Sequence, residues 1–319
     1  MVSVILPCYN ASKTLQATLN AIHKQSYENF ELIAVDDGSQ DDTLEILKSW
    51  ANLDSRIVVR HQENRGVSSA RNLALKSARG EYICFVDADD VVEPDYIESL
   101  VRIMLSSKSC GLAMCGFTSD MKLHSIRNFG LTSISNIDFV LRTFGYRTLN
   151  PQIWCMLFRA NIIKQNKITF EEGCTRGEDK EFFAKYVLHT KEIIYSDDKL
   201  YHYRLSDVSA MATLKESSLT SIDASWRTYL YYQNSNPALA HVLLLSYYFT
   251  IWKFTVLCHM NNNMEVYRIM QNRYNIREAM GQLESFPKIE VKLTSRIYKA
   301  SPFMFRLLCR MFRPIIRKR

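Results

Sequence analysis

Asp87 and Asp89 stand two residues apart, directly after the apolar run Tyr82–Val86. Carboxylate oxygens at that spacing, at the end of a strand, suit a hard cation such as Mg²⁺ or Mn²⁺ that bridges phosphates. Three more polar clusters follow apolar runs in the same way. Tyr9-Asn10 comes after Val2–Leu6, Asp36-Asp37-Gly38-Ser39 after Phe30–Val35, and Asn64-Arg65-Gly66 after Ile57–His61. Helix capping accounts for any one of these clusters. Four of them, two strongly acidic, call for a ligand site. Arg71 and Arg204 add guanidinium groups able to grip phosphate in bidentate fashion.

The elements that must position these residues alternate in period. Continuous apolar runs are the mark of strands buried on both faces. Between them lie amphipathic stretches: one that Ser12 would cap, running to about Lys24; one opened by Asp41 and Asp42 with Leu44, Ile46 and Leu47 inward; and Val67–Ala78. Pro94 suits the first turn of a further helix that runs to about Ser106. This βαβαβαβ order predicts a doubly wound, mostly parallel sheet with helices on both faces. All four clusters then fall on its carboxyl edge, where such sheets bind ligands.

Several chemistries are excluded. No Gly-x-Gly-x-x-Gly follows a strand, no Gly-x4-Gly-Lys-Ser/Thr occurs, and no Gly-x-Ser-x-Gly elbow is present. Eight scattered cysteines without a Cys-x-x-Cys pair point to free thiols in a reducing compartment, hence the cytoplasm. The chain opens without a basic n-region and h-region, so no signal peptide is expected. The net charge of +7 sits at one end: residues 296–319 hold eight Lys/Arg and no acid. A near-neutral body with such a tail is not a general nucleic-acid binder; the tail wants an acidic surface, a membrane above all.

The segments Val2–Asn10, Val35–Ser39, Asn64–Asn72 and Asp87–Asp90, followed by Gly177–Asp179 and Tyr201–Arg204, closely resemble glycosyltransferase family 2, the inverting group with the GT-A fold. The resemblance covers about residues 2–210. It implies a nucleotide-sugar donor, here a UDP-sugar, with Tyr9 stacked on uracil and Pro7 shaping that pocket. Asp37 would accept from the base while Asp36 positions the same loop; Asn64 and Arg71 would fix nucleoside and phosphate. Asp87, with Ala88 beside it, would meet ribose or metal, and Asp89 would ligate the divalent ion, Mn²⁺ or Mg²⁺, on the diphosphate. Arg204 and Ser209 would lie on the loop that closes over the pyrophosphate. Asp179 matches the base that deprotonates an acceptor hydroxyl. Glu178 is either an acceptor contact or an acid favoured by a helix N-terminus.

The stretch Ile153–Arg159 resembles a common Trp-x-Lys-Leu-Phe/Tyr-Arg segment, with Met156 where Lys is frequent. Trp154 reads either as an acceptor-stacking ring or as core, and His202 either as packed between tyrosines or as a metal neighbour. The expected function is hexose transfer to a glycan or lipid-linked acceptor of a bacterial surface polymer such as lipopolysaccharide, capsule or exopolysaccharide. The rivals are a nucleotidyltransferase, which would need a glycine-rich basic loop after the first strand, and a catalytically inactive scaffold.

The domain reading is a catalytic domain over residues 1–212 and a helical C-terminal region over 213–319. His241–Met260 is long enough to span a membrane, but Lys253 and His259 make it a core helix. In the last segment, 296–319, Ser301 and Pro302 open a basic amphipathic helix with Arg306, Arg310, Arg313 and Arg317 on one face and Pro314 near its end. That segment predicts a cytoplasmic protein held peripherally on the inner face of the cell membrane.

Overall fold

A computed structural model describes residues 1–119, 130–204 and 214–311. Ser209, Arg313, Pro314 and Arg317 therefore lie outside the described residues. The chain forms two compact units. One comprises Met1–Phe139, Asn150–Gly173 and Glu178–Ser206; the other comprises Val140–Leu149, Cys174–Gly177 and Asp207–Arg319.

The first unit is built on one nine-stranded sheet. Strands β1 (Val2–Cys8), β2 (Phe30–Asp37), β3 (Ile57–Gln62) and β4 (Tyr82–Phe85) pair in parallel in the order β3-β2-β1-β4. Helices α1 (Leu15–His23), α2 (Thr43–Leu53) and α3 (Val67–Ser77) connect them. β1, β2 and β4 are buried almost throughout, as their uninterrupted apolar runs require.

The remaining strands are β5 (Val91–Val92), β6 (Cys110–Thr118), β7 (Leu131–Ser135), β8 (Met156–Arg159) and β9 (Glu192–His202). Helix α4 (Tyr96–Leu105) precedes β6, with α5 (Asn136–Val140), α6 (Ala160–Gln165) and α7 (Glu178–Val187) further on. β8 runs antiparallel between β4 and β6, β9 lies parallel to β6, and β5 and β7 pair antiparallel with β9. The parallel half is the one the sequence pattern predicts, and the full sheet is mixed. Phe85 anchors the core beneath it, edge-on to Phe158, Phe170 and Phe182.

Two helix starts differ from expectation. Ser12 does not cap α1; its N–H donates to Asp41 in the next loop at 3.1 Å, and Thr14 precedes the first turn. Asp41 is the stronger acceptor, so it draws the loop across and the helix begins later. Pro94 lies before α4, whose cap position is Asp95; the Pro94 carbonyl instead accepts from Ser26 N–H at 2.8 Å.

The second unit is helical: α8 (Thr220–Gln233), α9 (Pro237–Met260), α10 (Met264–Arg273), α11 (Ile276–Gln282), α12 (Ile289–Ala300) and α13 (Pro302–Met311). Asparagines punctuate it. The side chains of Asn236, Asn263 and Asn275 accept from the third residue on and start α9, α10 and α11. Ser301 does the same for α13, receiving Met304 N–H at 3.3 Å, with Pro302 as its first residue. α9 is the one described helix long and apolar enough to cross a membrane. Ile251, Phe254 and Cys258 on it pack with Met270, Met280 and Phe305 in the core of this unit.

Candidate active site

The parallel order puts all four polar clusters on one edge of the sheet, and the loops are tied to each other there. Asn10, in a left-handed conformation (φ 49°), donates its N–H to Ser39 and accepts from Gln40 N–H at 2.8 Å. Gly38 has φ 69°, and a Cβ there would lie 2.6 Å from the Asn64 nitrogen, so only glycine lets the second and third loops meet. Tyr9, half exposed, stands free at the front of this edge.

The two acids that end β2 diverge in role. Asp37 is buried and accepts three hydrogen bonds: from Gln62 Nε2 at 2.6 Å, Arg65 N–H at 2.9 Å and Gly66 N–H at 2.8 Å. It thereby shapes the turn carrying the exposed Asn64. Asp36, wholly buried, bonds His61 Nδ1 through one oxygen at 2.8 Å, and its other oxygen has no partner among the described residues. The His61 contact was invisible in the sequence because it depends on register, in which Asp36 faces His61 across β2 and β3.

Arg71 is the hub. Only 3% of it is exposed, and α3 aims it under the edge. Its Nη1 donates to Asp179 at 2.6 Å and reaches Glu178 at 3.3 Å, while Nη2 donates to Asp87 at 3.1 Å. The residue read as a phosphate ligand is thus committed to three carboxylates. Glu178 and Asp179 begin α7, so the sheet edge and that helix converge on one cation. Burial pushes the Asp179 carboxyl up to about 7; Arg71 opposes that push, and the charges of Glu178 and Asp87 add to it.

Asp87 and Asp89 sit side by side after β4, Asp87 half-buried and Asp89 exposed. Ala88 between them is buried, and its carbonyl accepts from the Thr14 and Thr18 hydroxyls at 3.0 and 3.1 Å. That anchor turns the two acids outward. Although its side chain reaches solvent, partial desolvation by the surrounding loop and then the Asp87 charge raise Asp89, against which Arg204 works. Among the described residues no three metal-binding side chains converge. Two neighbouring carboxylates, Asp89 with its proton affinity raised, fit a Mg²⁺ or Mn²⁺ ion that takes its remaining ligands from phosphate oxygens and water and not from a protein cage.

Behind them, Asp90 is fully buried, accepting from Tyr201 Oη at 2.8 Å and from Arg204 N–H at 2.8 Å. Tyr201 Oη also accepts from Asp87 N–H at 3.1 Å. Tyr201 and Asp90 are supports that the sequence reading did not single out, although both lie within its motifs. Arg204 is half-buried beside them, its Nε without a partner among the described residues. His202 bonds Glu93 at 2.5 Å. Trp154 is buried, stacked on Tyr201 and Tyr203 at 4.3 and 5.6 Å between ring centres, so of its two readings it has the core one. Pro7 is half-buried in β1, two residues before Tyr9.

Comparison with known proteins agrees with this layout. Residues 3–186 match Glycosyl transferase family 2. The chain is 29% identical over 218 residues to EpsH of Bacillus subtilis, covering 64% of this chain and 60% of that one. It is 30% identical over 236 residues to glycosyltransferase GlyG of Streptococcus pneumoniae, 71% of this chain and 75% of that one. Among solved structures, Staphylococcus aureus TarS 1–349 in complex with UDP-GlcNAc superposes with a TM-score of 0.71 at 21% identity, covering 98% of this chain and 90% of that one. The curated name of TarS is poly(ribitol-phosphate) beta-N-acetylglucosaminyltransferase.

Proposed function

The chain belongs to glycosyltransferase family 2, and we propose that it transfers a hexose, glucose, galactose or an N-acetylated form, from a UDP-sugar to a hydroxyl of a bacterial surface glycan. The observation that carries this reading is the Asp87–Arg71–Asp179 bridge, which sets a candidate metal-side acid and a candidate base on opposite arms of one guanidinium. Relatives named for glycosyl transfer, and TarS with its polyol-phosphate polymer, support the surface-polymer class.

In this mechanism Tyr9 stacks on the base, the free lone pair of Asp37 accepts from it, and Asn64 faces the nucleoside. Asp87 and Asp89 would hold a divalent ion, which when bound would supply charge compensation for the diphosphate. Arg204 lies beside Asp89 and adds a second cation on that side. Asp179 takes the proton of the acceptor hydroxyl, Arg71 keeps its carboxylate aimed, and attack from the face opposite UDP inverts the anomeric centre without a covalent enzyme intermediate.

The proposed location is the cytoplasmic face of the cell membrane. Phe303, Met304, Leu307 and Met311 are exposed on α13, the helix that also carries Arg306 and Arg310, a composition that supports an anionic lipid surface and a lipid-linked or membrane-proximal acceptor. The test is UDP release from a panel of UDP-sugars with Mn²⁺ or Mg²⁺. Activity on at least one sugar, lost in chelator, is expected. In parallel, Asp89→Ala should bind UDP with no Mn²⁺ enhancement, and unchanged Mn²⁺ dependence in that variant removes Asp89 from the metal site.

A further inference from the structure

The helical unit crowds tyrosines around two carboxylates, beside a tryptophan that meets solvent. On α8, Asp223, Trp226 and Leu230 recur at i, i+3 and i+7 and so share a face. Trp226 is 40% exposed and Leu230 45%, more than helix packing alone would leave open for such large apolar side chains. The indole lies 5.0 Å between ring centres from Tyr229 of the same helix and 5.0 Å from Tyr247 of α9, and Tyr247 lies 5.4 Å from Tyr248. Rings at that spacing touch. They make one continuous aromatic surface and leave no gap between them into which a cation could fit, as an aromatic cage would.

The polar half of the cluster is held by the tyrosine hydroxyls. Tyr248 Oη donates to Glu278 of α11 at 3.0 Å, and Tyr274 Oη donates to Asp223 at 2.9 Å. Tyr247 lies in the field of both acids: burial raises its hydroxyl, and the charges of Asp223 and Glu278 raise it further. Burial and the bond to Glu278 push Tyr248 up to about 12. Each carboxylate thus spends one oxygen on a tyrosine and keeps another for a donor from outside. A purely apolar partner laid on this surface would cover those oxygens unpaired. A phosphate or other anion would be repelled by the two acids. A pyranose meets both demands, because it offers an apolar C–H face to the rings and hydroxyl donors along its edge to the carboxylates.

We propose that Trp226, Tyr229 and Tyr247, with Asp223 and Glu278, form a carbohydrate-binding platform on the helical unit that takes a neutral oligosaccharide. Trp226 stacks on the sugar's C–H face, and the open carboxylate oxygens of Asp223 and Glu278 accept from its hydroxyls. Identifying that oligosaccharide with the glycan being extended rests on the glycosyltransferase reading. The binding chemistry of the platform does not, since it follows from the rings and acids of α8, α9 and α11 alone. No group here is placed to break or form a bond, so the platform retains a glycan and does not act on it.

The experiment is calorimetric titration of the full chain with maltohexaose, cellohexaose and chitohexaose, and separately with UDP and Mn²⁺. At least one hexasaccharide should saturate. Trp226→Leu should weaken it about tenfold or more, because leucine keeps apolar area and loses the ring face. Trp226→Tyr should restore most of that affinity, which separates lost stacking from a folding defect. Glu278→Gln, at an exposed position where an amide oxygen can still receive Tyr248, should lose about threefold. UDP affinity should be unchanged in all three variants. Saturation by no hexasaccharide, or a Trp226→Leu chain that binds as the unaltered one does, overturns the platform. A dimer in sedimentation that Trp226→Leu disperses assigns the patch to a second copy of this chain and overturns it as well. An unaltered chain that binds a hexasaccharide but releases UDP from no UDP-sugar sinks the glycosyltransferase reading and leaves the platform standing; UDP release without hexasaccharide binding does the converse.

Discussion

As the base of the proposed mechanism, Asp179 would have to do two opposed things. To accept a proton it must be ionised, yet burial and the neighbouring Glu178 and Asp87 charges hold its proton on until about pH 7. Arg71, at 2.6 Å, is what keeps that value from climbing further. The active form therefore lies above about pH 7, and the transfer rate should fall roughly tenfold per unit as pH drops below it, read from kcat/KM against pH. Asp179→Asn should keep UDP-sugar affinity and lose about 10²–10⁴-fold in transfer. Wild-type turnover in that variant would take Asp179 out of the mechanism. Arg71 serves stability as well: Arg71→Met leaves three carboxylates facing one another without a cation. A loss of about 3–5 kcal/mol is expected, seen as a lower urea midpoint, and a smaller loss would mean the cluster relaxes by protonation. Asp37 shows why residue types alone mislead about roles. Its acidity was legible in the sequence, but three of its acceptor positions hold the Asn64 turn.

Elements were read more faithfully than contacts. Continuous apolar runs marked β1, β2 and β4 because both faces of a parallel strand are covered, and every cluster placed at a strand end did fall on one edge. What the sequence did not carry is pairing. β8 and β9 come from distant segments, so their order, the antiparallel crossing beside β4, and the Asp36–His61 and Asp90–Tyr201 contacts depend on register that periodicity does not encode. The same holds for His259 near the end of α9. It packs between Tyr267 and Phe305, neither ring nitrogen has a partner among the described residues, and burial aided by Arg306 and Arg310 lowers it to about 4. A depressed folded-state value means the unfolded chain takes up the proton first, near pH 6.5. Stability of the helical unit should thus be full above about 6.5 and decline as pH falls towards 4, by on the order of 3 kcal/mol at most. His259→Phe should flatten that decline in thermal unfolding between those pH values. An unchanged slope would place the acid sensitivity elsewhere.

At the scale of the whole molecule, the question is what the uneven charge does. The last segment, expected as a basic amphipathic helix on a membrane, is also part of the core: Tyr298, Phe305 and Cys309 of α12 and α13 are buried, and Arg310 bonds Asn262 in the turn after α9. Truncation at residue 296 would therefore unfold the helical unit and test nothing about membranes. Substitution separates the two effects. Phe303, Met304, Leu307 and Met311 are each about half exposed or more, and none of them belongs to the buried cluster around Phe305. Each inserted apolar side chain is worth about 1.5–3 kcal/mol at full burial, and each nearby Lys or Arg adds roughly 1 kcal/mol on an anionic leaflet. A surface combining both should bind vesicles containing phosphatidylglycerol and release them as salt rises. Changing the four exposed side chains to Ser should abolish vesicle sedimentation while leaving UDP-sugar hydrolysis and the thermal midpoint near those of the unaltered chain. Arg306→Gln/Arg310→Gln should instead weaken binding and flatten its salt dependence. If the unaltered chain ignores anionic vesicles at low salt, or if the serine variant sediments as before, the helix is only a lid on the core and the membrane assignment falls.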